Sequence, residues 1–428
     1  MVDKFYNIGK KLFPLNRSIT GKGTLKSLQI ISKNFKKFKI KRIQSGKKVF
    51  DWKVPPEWNV KEAYILDKNN KKIIDFKINN LHLVGYSKKA KLILTKDKLL
   101  KKLHSLKKYP TAIPYITSYY KKYWGFCVTE NFKKKIKKKY NSFDKFKILI
   151  DSKFNKEGYL NYGEYFLKGK SNKEILISTY ICHPSMANNE LSGPIVCMSL
   201  ISHFRRLDNY YSIRFLFIPE TIGSIAFICK NFEKLKKNVF CGFNLSCIGD
   251  ELNHSYILSK YKNSPSDEAL LLSYKKLKIK KPLEYSFLQR GSDERQFNSP
   301  GVDLKITSVF RTKYGEYKEY HTSLDNFNLV TKKGIRGGFN VVKKAIEIIQ
   351  SKKFPKASVL CEPFLTKRKL YPTLSGSEKV NIKTTNILDF LQFSDGKNSL
   401  EKISKLTKTD IKKVNKIYKN LKQLKLIN

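Results

Sequence analysis

The sequence predicts an α/β protein: a mainly parallel sheet covered by helices, with a small β-rich insert before it and a helical unit behind it. Three observations carry this expectation. From about residue 145, short apolar runs alternate with helical patterns of 10 to 16 residues, the rhythm of a parallel sheet covered on both faces. Between about 46 and 100, polar and apolar residues alternate between Pro and Asn turns, which is strand periodicity. From about 384, three helical patterns follow one another to the C-terminus. At 428 residues, the chain also exceeds what one hydrophobic core usually supports, so two or three domains are expected.

In chain order, residues 1 to about 35 read as an amphipathic helix, the turn FPLNRSITGKG and a second helix. VFDWKVPPEWNVKEAYILD and KKIIDFKINNLHLVGYS make the β-rich insert. KILI (147–150), EILISTYIC (174–182), SIRFLFI (212–218), VFCGFNLSCIG (239–249) and DLKITSVF (303–310) read as strands. The helices between and after them are expected at 192–207, 224–237, 266–279 and 341–350. A linker-like stretch around SKKFPKASVLCEPFLTKRKLYPTL precedes the last unit, in which the order of NILDFLQFSDG, LEKISKLTK and TDIKKVNKIYKNLKQLKLI resembles a winged helix ending in a short strand. The expected boundaries are 1–45 with 116–352 for the main domain, 46–115 for the insert and 380–428 for the winged helix.

A formal net charge of +52 points at first sight to nucleic acid, an anionic membrane surface or an acidic substrate. The basic residues argue otherwise. Only ten of the 87 are Arg, and the Lys are spread from Lys4 to Lys425 among many Asn and Ile. A phosphate-reading surface would concentrate Arg, whereas uniform Lys enrichment reads as coding bias. In the last helix, NKIYKNLKQLK offers chiefly Lys beside an Ile/Leu face rather than base-reading side chains, so no sequence-specific nucleic-acid binding is expected. Seven cysteines without a CxxC pair fit reduced thiols. The N-terminal residues lack an apolar signal region, and no apolar run approaches the ~20 residues that span a bilayer. A cytoplasmic protein with no membrane span is expected.

Ligands of open α/β sheets bind beyond the carboxyl ends of the strands, and four polar motifs fall there. TYICHPSMANNELSGP puts His183 directly after a strand, with Asn188, Asn189 and Glu190 in the following turn. An imidazole and a carboxylate on one loop suit a divalent cation, most often zinc. FLFIPETIGSIAF puts Glu220 after an apolar strand, where partial desolvation raises a carboxyl towards the range of a general base. The same Glu also suits a helix cap. EYHTSLDN carries Tyr320, His321 and Asp325, and QRGSDERQFNSPGV groups Ser292, Asp293, Glu294 and Arg295 in a loop.

With these motifs in the order H, E, SD, H, the chain resembles the zinc aminopeptidase-type exopeptidases, and more closely the aminopeptidase-like branch found among polysaccharide-biosynthesis proteins. NRSITGKG, VFDWKVPPEWNV, AIPYITSYY, YWGFCV, CHPSMANNELSGP, FIPETIGSI, RGSDERQF and YHTSLDN carry the resemblance over nearly the whole chain. It implies an exopeptidase-like domain, a β insert and a C-terminal winged helix. It also implies His183 and His321 as metal ligands, Glu220 as the base and Asp293 as support for the last His loop. The departures concern the acidic ligands: Asn189, Thr221 and Ser246 stand where two-metal aminopeptidases carry carboxylates, and Glu190 is the carboxylate within reach. One zinc on His183, Glu190 and His321 is therefore expected, with Asp293 in reserve. Asn189, Asp293, Glu294, Arg295, Tyr320 and Asp325 are expected to touch substrate or support the ligands.

Three functions remain open to the sequence. The first is a metal-dependent hydrolase of an amide or ester in a small-molecule, peptide-like or sugar-precursor substrate, possible in surface-polysaccharide biosynthesis. The second is amide formation or acyl transfer on a sugar precursor. The third is an inactive exopeptidase fold that binds nucleic acid or protein. The first two need the same electrophile and base.

Overall fold

The computed structural model describes residues 1–351, 353–370 and 382–428, so the expected boundary positions 352 and 380 lie outside the described residues. It divides into Met1–Ile346 and Glu347–Asn428. In the first unit, α1 (Val2–Leu12) and α2 (Lys22–Ser32) lead into β1 (Lys39–Gln44). Then come β2 (Glu57–Leu66), β3 (Lys72–Asp75), β4 (Ala90–Thr95) and α3 (Glu130–Lys139). After β5 (Lys145–Asn155) and β6 (Tyr159–Leu167), strands and helices alternate: β7 (Ser171–Tyr180), α4 (Ser192–Phe204), β8 (Tyr211–Ile218), α5 (Ile222–Asn238) and β9 (Val239–Leu245). The unit closes with β10 (Ser255–Ile257), α6 (Pro265–Lys276), β11 (Leu283–Tyr285), β12 (Ile306–Phe310) and α7 (Lys332–Ser351), whose last turn runs past the unit boundary.

The large sheet has the order β1-β6-β8-β7-β9-β12-β10-β11. Its four central strands, β8, β7, β9 and β12, run parallel. They are largely apolar because helices cover them; all eight residues of β8 are buried. The flanks are mixed, since β6 is antiparallel to β8, β1 to β6 and β10 to β12. Antiparallel edges need no crossover helix. Helix α4 is buried on nearly every side, and α1 lies on it so closely at Gly9 that a Cβ there would meet Ile195 at 2.4 Å.

The small sheet has the order β3-β2-β5-β4 and is antiparallel throughout. This corrects the sequence reading, which closes the insert at 115 and gives KILI to the large sheet. The reason is visible in β5: Phe146, Ile148 and Ile150 are buried while Lys145 and Lys147 are exposed. That period of two belongs to a half-buried antiparallel strand rather than to a strand covered on both faces.

One charge sits inside the large sheet. Arg214 in β8 donates to Glu174 of β7 at 2.7 and 2.9 Å and lies 2.9 Å from Glu164 of β6. A buried guanidinium persists only with such partners, and this one ties three adjacent strands.

The second unit holds α8 (Ile382–Gln392), α9 (Leu400–Leu406) and α10 (Ile411–Gln423) around Phe390, Ile403, Val414 and Leu421. Short bridges pair Lys356 with Asp395 and Ala357 with Ile427. Lys412, Lys413, Lys416 and Lys419 are exposed along α10 while Val414 and Tyr418 face the core. All seven cysteines are free thiols. Among the described residues, no helix is long and apolar enough to cross a membrane.

A pH dependence follows from His254 at the start of β10. Its Nε2 meets Nη1 of Arg311, and burial together with the Arg311 charge lowers its pKa from 6.5 to about 4. A depressed folded pKa contributes stability that is fully present above the unfolded value and is lost as pH falls through the folded one. Wild type is therefore expected to lose melting temperature between about pH 6.5 and pH 4. His254→Gln, which keeps an acceptor for Arg311 but does not titrate, is expected to lose less over that interval. Parallel melting curves for the two proteins would exclude His254 as the source.

Candidate metal centre

Strand β7 ends in a buried loop, residues 181–191, that carries His183, Asn188, Asn189 and Glu190. Its shape is held from outside. Asp325 accepts the backbone N–H of Ala187 at 3.1 Å, of Asn188 at 2.5 Å and of Asn189 at 2.9 Å, and the Tyr317 hydroxyl at 3.2 Å. The Asn188 side chain donates to Asp250 and accepts from the Gly249 N–H, fastening the loop to the segment after β9. Helix α4 starts at Ser192–Gly193, where a Cβ on Gly193 would meet Thr179 Oγ1 at 2.1 Å and the Leu245 carbonyl oxygen at 2.5 Å. Only glycine lets the helix start this close to the strands.

Within this frame, Glu190 lies behind His183. Its Oε1 meets Nδ1 of the imidazole and its Oε2 accepts the Cys182 N–H at 2.6 Å. The other imidazole nitrogen, Nε2, is 3.7 Å from Glu220 Oε2. The His321 ring is 5.5 Å from the His183 ring, and Tyr115 packs edge-on against both at 5.3 and 4.9 Å. Tyr115 is placed by its N–H, which donates to the His321 carbonyl at 2.8 Å. Tyr320 stacks on His321 at 3.9 Å.

Glu220 stands in the turn between β8 and α5, its N–H donating to Cys182 Sγ at 3.3 Å. The next residue, Thr221, has φ 61°, a left-handed conformation that a β-branched residue rarely adopts. Asp293 holds that turn, accepting the Thr221 N–H at 2.7 Å and the Ser224 hydroxyl at 2.8 Å. Arg295, exposed, donates to Thr221 Oγ1 at 2.9 Å.

The structure therefore brings His183, Glu190, Glu220, Tyr320 and His321 together, with Asn189 and Asp325 directly beneath. Three expectations change. Asp293 braces the Glu220 turn rather than the last His loop; that loop and the His183 loop are joined by Asp325. Glu294 accepts from Gly291 N–H, Ser292 N–H, Tyr314, Asn244 and Ser308, which leaves its carboxylate spent inside the fold and unable to touch substrate. Glu190 serves His183 Nδ1 rather than sharing the Nε2 side with His321. Tyr115 was missed as a site residue; its sequence signal is its place inside AIPYITSYY.

The charges are set mainly by burial. Burial lowers the His183 pKa, but Glu190 more than offsets that and the net shift is upward. Burial, assisted by His183, lowers His321 to about 3 and keeps it neutral, as a metal ligand must be. Burial raises Glu220. It raises Asp293 to about 8, with the Glu220 charge second, and raises Asp325 to about 7.

Two places could take a cation. Cys182, His183 and Glu190 cluster tightly and all are buried. Their donor atoms are engaged with one another and with the Cys182 N–H, and the Arg17 guanidinium lies beside them. The His183 Nε2 side is the better fit: partly exposed Glu220 lies 3.7 Å from it, and the neutral His321 ring packs beside the imidazole. Asn189 Oδ1 adds a buried carbonyl oxygen with no protein donor, while its Nδ2 is bonded to Tyr180 OH.

Comparison with known proteins supports this reading of the fold. Residues 6–352 match the family described as a domain of unknown function, DUF4910, and residues 353–428 match a winged helix-turn-helix family. A Clostridium acetobutylicum protein, whose name places it in polysaccharide biosynthesis with an aminopeptidase-like domain, is 39% identical over 407 residues, 94% of this chain and 90% of that protein. A crystal structure of a candidate peptidase from the same organism superposes with a TM-score of 0.80 at 36% identity, covering 100% of this chain and 96% of that one. A zinc aminopeptidase from Bacillus subtilis superposes with a TM-score of 0.60 at 14% identity, covering 82% and 95%. This last likeness shows a shared fold.

Asp325→Ala tests the frame. It leaves the buried N–H groups of Asn188 and Asn189 without their acceptor, each costing about 1–3 kcal/mol, while the Ala187 N–H keeps the Asp325 backbone carbonyl at 2.9 Å. A loss of about 3–5 kcal/mol in urea unfolding is expected. A loss below about 1 kcal/mol would mean the loop holds its shape without Asp325.

Proposed function

We propose that this chain, which belongs to the DUF4910 family of aminopeptidase-like proteins and carries a winged helix behind that domain, is a zinc-dependent hydrolase of an amide or ester bond. The observation that carries the reading is Glu220, a carboxylate raised by burial and 22% exposed, 3.7 Å from Nε2 of His183 at the mouth of the site. His183 through Nε2, His321 and the Asn189 carbonyl oxygen would hold the ion, and Glu190 would orient His183 from behind as carboxylates do for metal-bound imidazoles. When bound, zinc supplies a Lewis acid that polarises the scissile carbonyl.

The remaining work falls to the chain. Glu220 takes a proton from the attacking water and returns it to the leaving group. Burial raises the Glu220 pKa while His183, then Ser292 and Arg295, lower it, an opposition that suits a group which must both accept and give a proton. Asp293 and Thr221 fix the turn that aims it. Tyr115 and Tyr320 wall the imidazoles and limit water. Because Asn189, Thr221 and Ser246 are neutral, one ion is expected rather than two. The name of the 39% identical relative favours a polysaccharide-biosynthesis setting.

Two measurements test this. Glu220→Gln is expected to keep fold and zinc and to lose about 10² to 10⁴ in rate on an amide or ester reporter; near-normal turnover would reduce Glu220 to a cap of α5. Metal analysis is expected to find one zinc per chain. His321→Ala should abolish its binding, and Glu190→Gln should weaken it about 10- to 100-fold, the size of effect typical of a group behind the ligand. Two tightly held ions, or equal losses in both variants, would overturn the assignment of the ligands.

A further inference from the structure

We infer that a cavity beside the His183–His321 pair is a receptor for a carboxylate of the substrate, with Arg17 as its cation. Arg17 is 0% exposed. Its Nε donates to the His183 carbonyl at 3.0 Å and its Nη1 to the Leu12 carbonyl, while Nη2 is buried with no protein acceptor. Arg17 lines a cavity of about 10 Å³ together with Thr117, Tyr115, Tyr119, Trp58 and Pro184. Thr117 Oγ1 is a second buried polar atom there with no protein partner.

The chemistry of this lining selects an anion. Both acceptors of Arg17 are neutral carbonyls, and among the described residues no carboxylate forms an ion pair with it. Glu190 exerts the strongest favourable charge on it, but its oxygens are held by Cys182 and His183. The walls are aromatic: Trp58 and Tyr86 stack at 5.2 Å and Tyr119 meets Tyr86 edge-on at 5.3 Å. In such surroundings an uncompensated guanidinium is costly, and a neutral water would satisfy its N–H groups without its charge. The enclosed volume takes about one oxygen-sized group. A planar carboxylate can insert one oxygen there, whereas a phosphate doing the same would hold three further oxygens and a higher charge against the aromatic walls, at a greater desolvation cost. Pro184 and Tyr115 place that oxygen next to His183. The cavity thus deepens the hydrolase reading, on which its role in catalysis rests, by naming an acidic substrate; the anion binding itself does not depend on it.

The test is acetate against acetamide, titrated into the full chain at fixed ionic strength and followed by melting temperature and calorimetry. Acetate is expected to bind saturably, and acetamide and inorganic phosphate not to. Thr117→Val, nearly isosteric, should weaken acetate about 10- to 100-fold, the value of one hydrogen bond to a charged group. Arg17→Gln should abolish binding, and if that variant fails to fold the Thr117→Val titration decides. His321→Ala, which removes the expected zinc, should still bind acetate. Equal responses to acetate and acetamide, phosphate binding as tight as acetate, unchanged affinity in Thr117→Val, or loss in His321→Ala would each overturn the receptor. None of these readings uses turnover, so a failed Glu220→Gln experiment and a failed acetate titration stay distinguishable.

Discussion

The site depends on one carboxylate that does no chemistry. Asp325 gathers three successive backbone N–H groups of the loop after β7, although it is more than 130 residues away in sequence. Loop backbone carries donors that must be satisfied when buried, and residues 181–191 are buried throughout. Without an acceptor from elsewhere this loop could not be packed under a helix. Because the acceptor comes from the turn that also carries His321, satisfying the loop and assembling the two imidazoles are one event. That explains why Asp325 remains buried even though burial pushes its pKa up to about 7.

From that fixed point the other acids take graded positions. Glu190 lies behind His183, sealed and bonded. Asp293 lies under the Glu220 turn with one oxygen engaged and the other without a partner. Glu220 alone reaches solvent. Three carboxyls near one imidazole would repel in a low-dielectric interior, and the raised values of Glu220 and Asp293 express that repulsion along with burial. A divalent cation on the Nε2 side would relieve it, since a bound ion is the largest charge in such a site.

Much of this was legible in the sequence, and the parts that were not have physical reasons. The strands before His183 and Glu220 are legible as largely apolar runs, so the search turned to the loops at their ends. The β5 pairing was misread because its short apolar core outweighed the alternating lysines around it. Asp293 was assigned to the last His loop and Asp325 to no particular loop, because which loop a carboxylate braces is set by tertiary approach, which spacing does not encode. Glu190 was correctly placed beside His183, but the side of the ring it serves depends on a rotamer. The Thr221 turn offered no signal: its φ is a conformation that sequence disfavours.

Charge gives the least expected lesson. The +52 balance carries little information about partners, because lysines occupy exposed positions across the whole chain. The arginines behave differently. Of ten in the sequence, Arg17, Arg214 and Arg311 are buried at 0, 5 and 9% exposure, while Lys313 is the one buried lysine among the described residues. A background that favours lysine leaves arginine where a planar fork is needed. Arg214 uses it to bridge two carboxylates across three strands, and Arg311 uses it against His254. Arg17 uses two of its three nitrogens to anchor the His183 backbone and the end of α1, leaves the third buried without a protein acceptor, and lines a small cavity. In a lysine-rich chain the scarce cation is therefore the informative one: its position, rather than the total charge, identifies where an anion belongs.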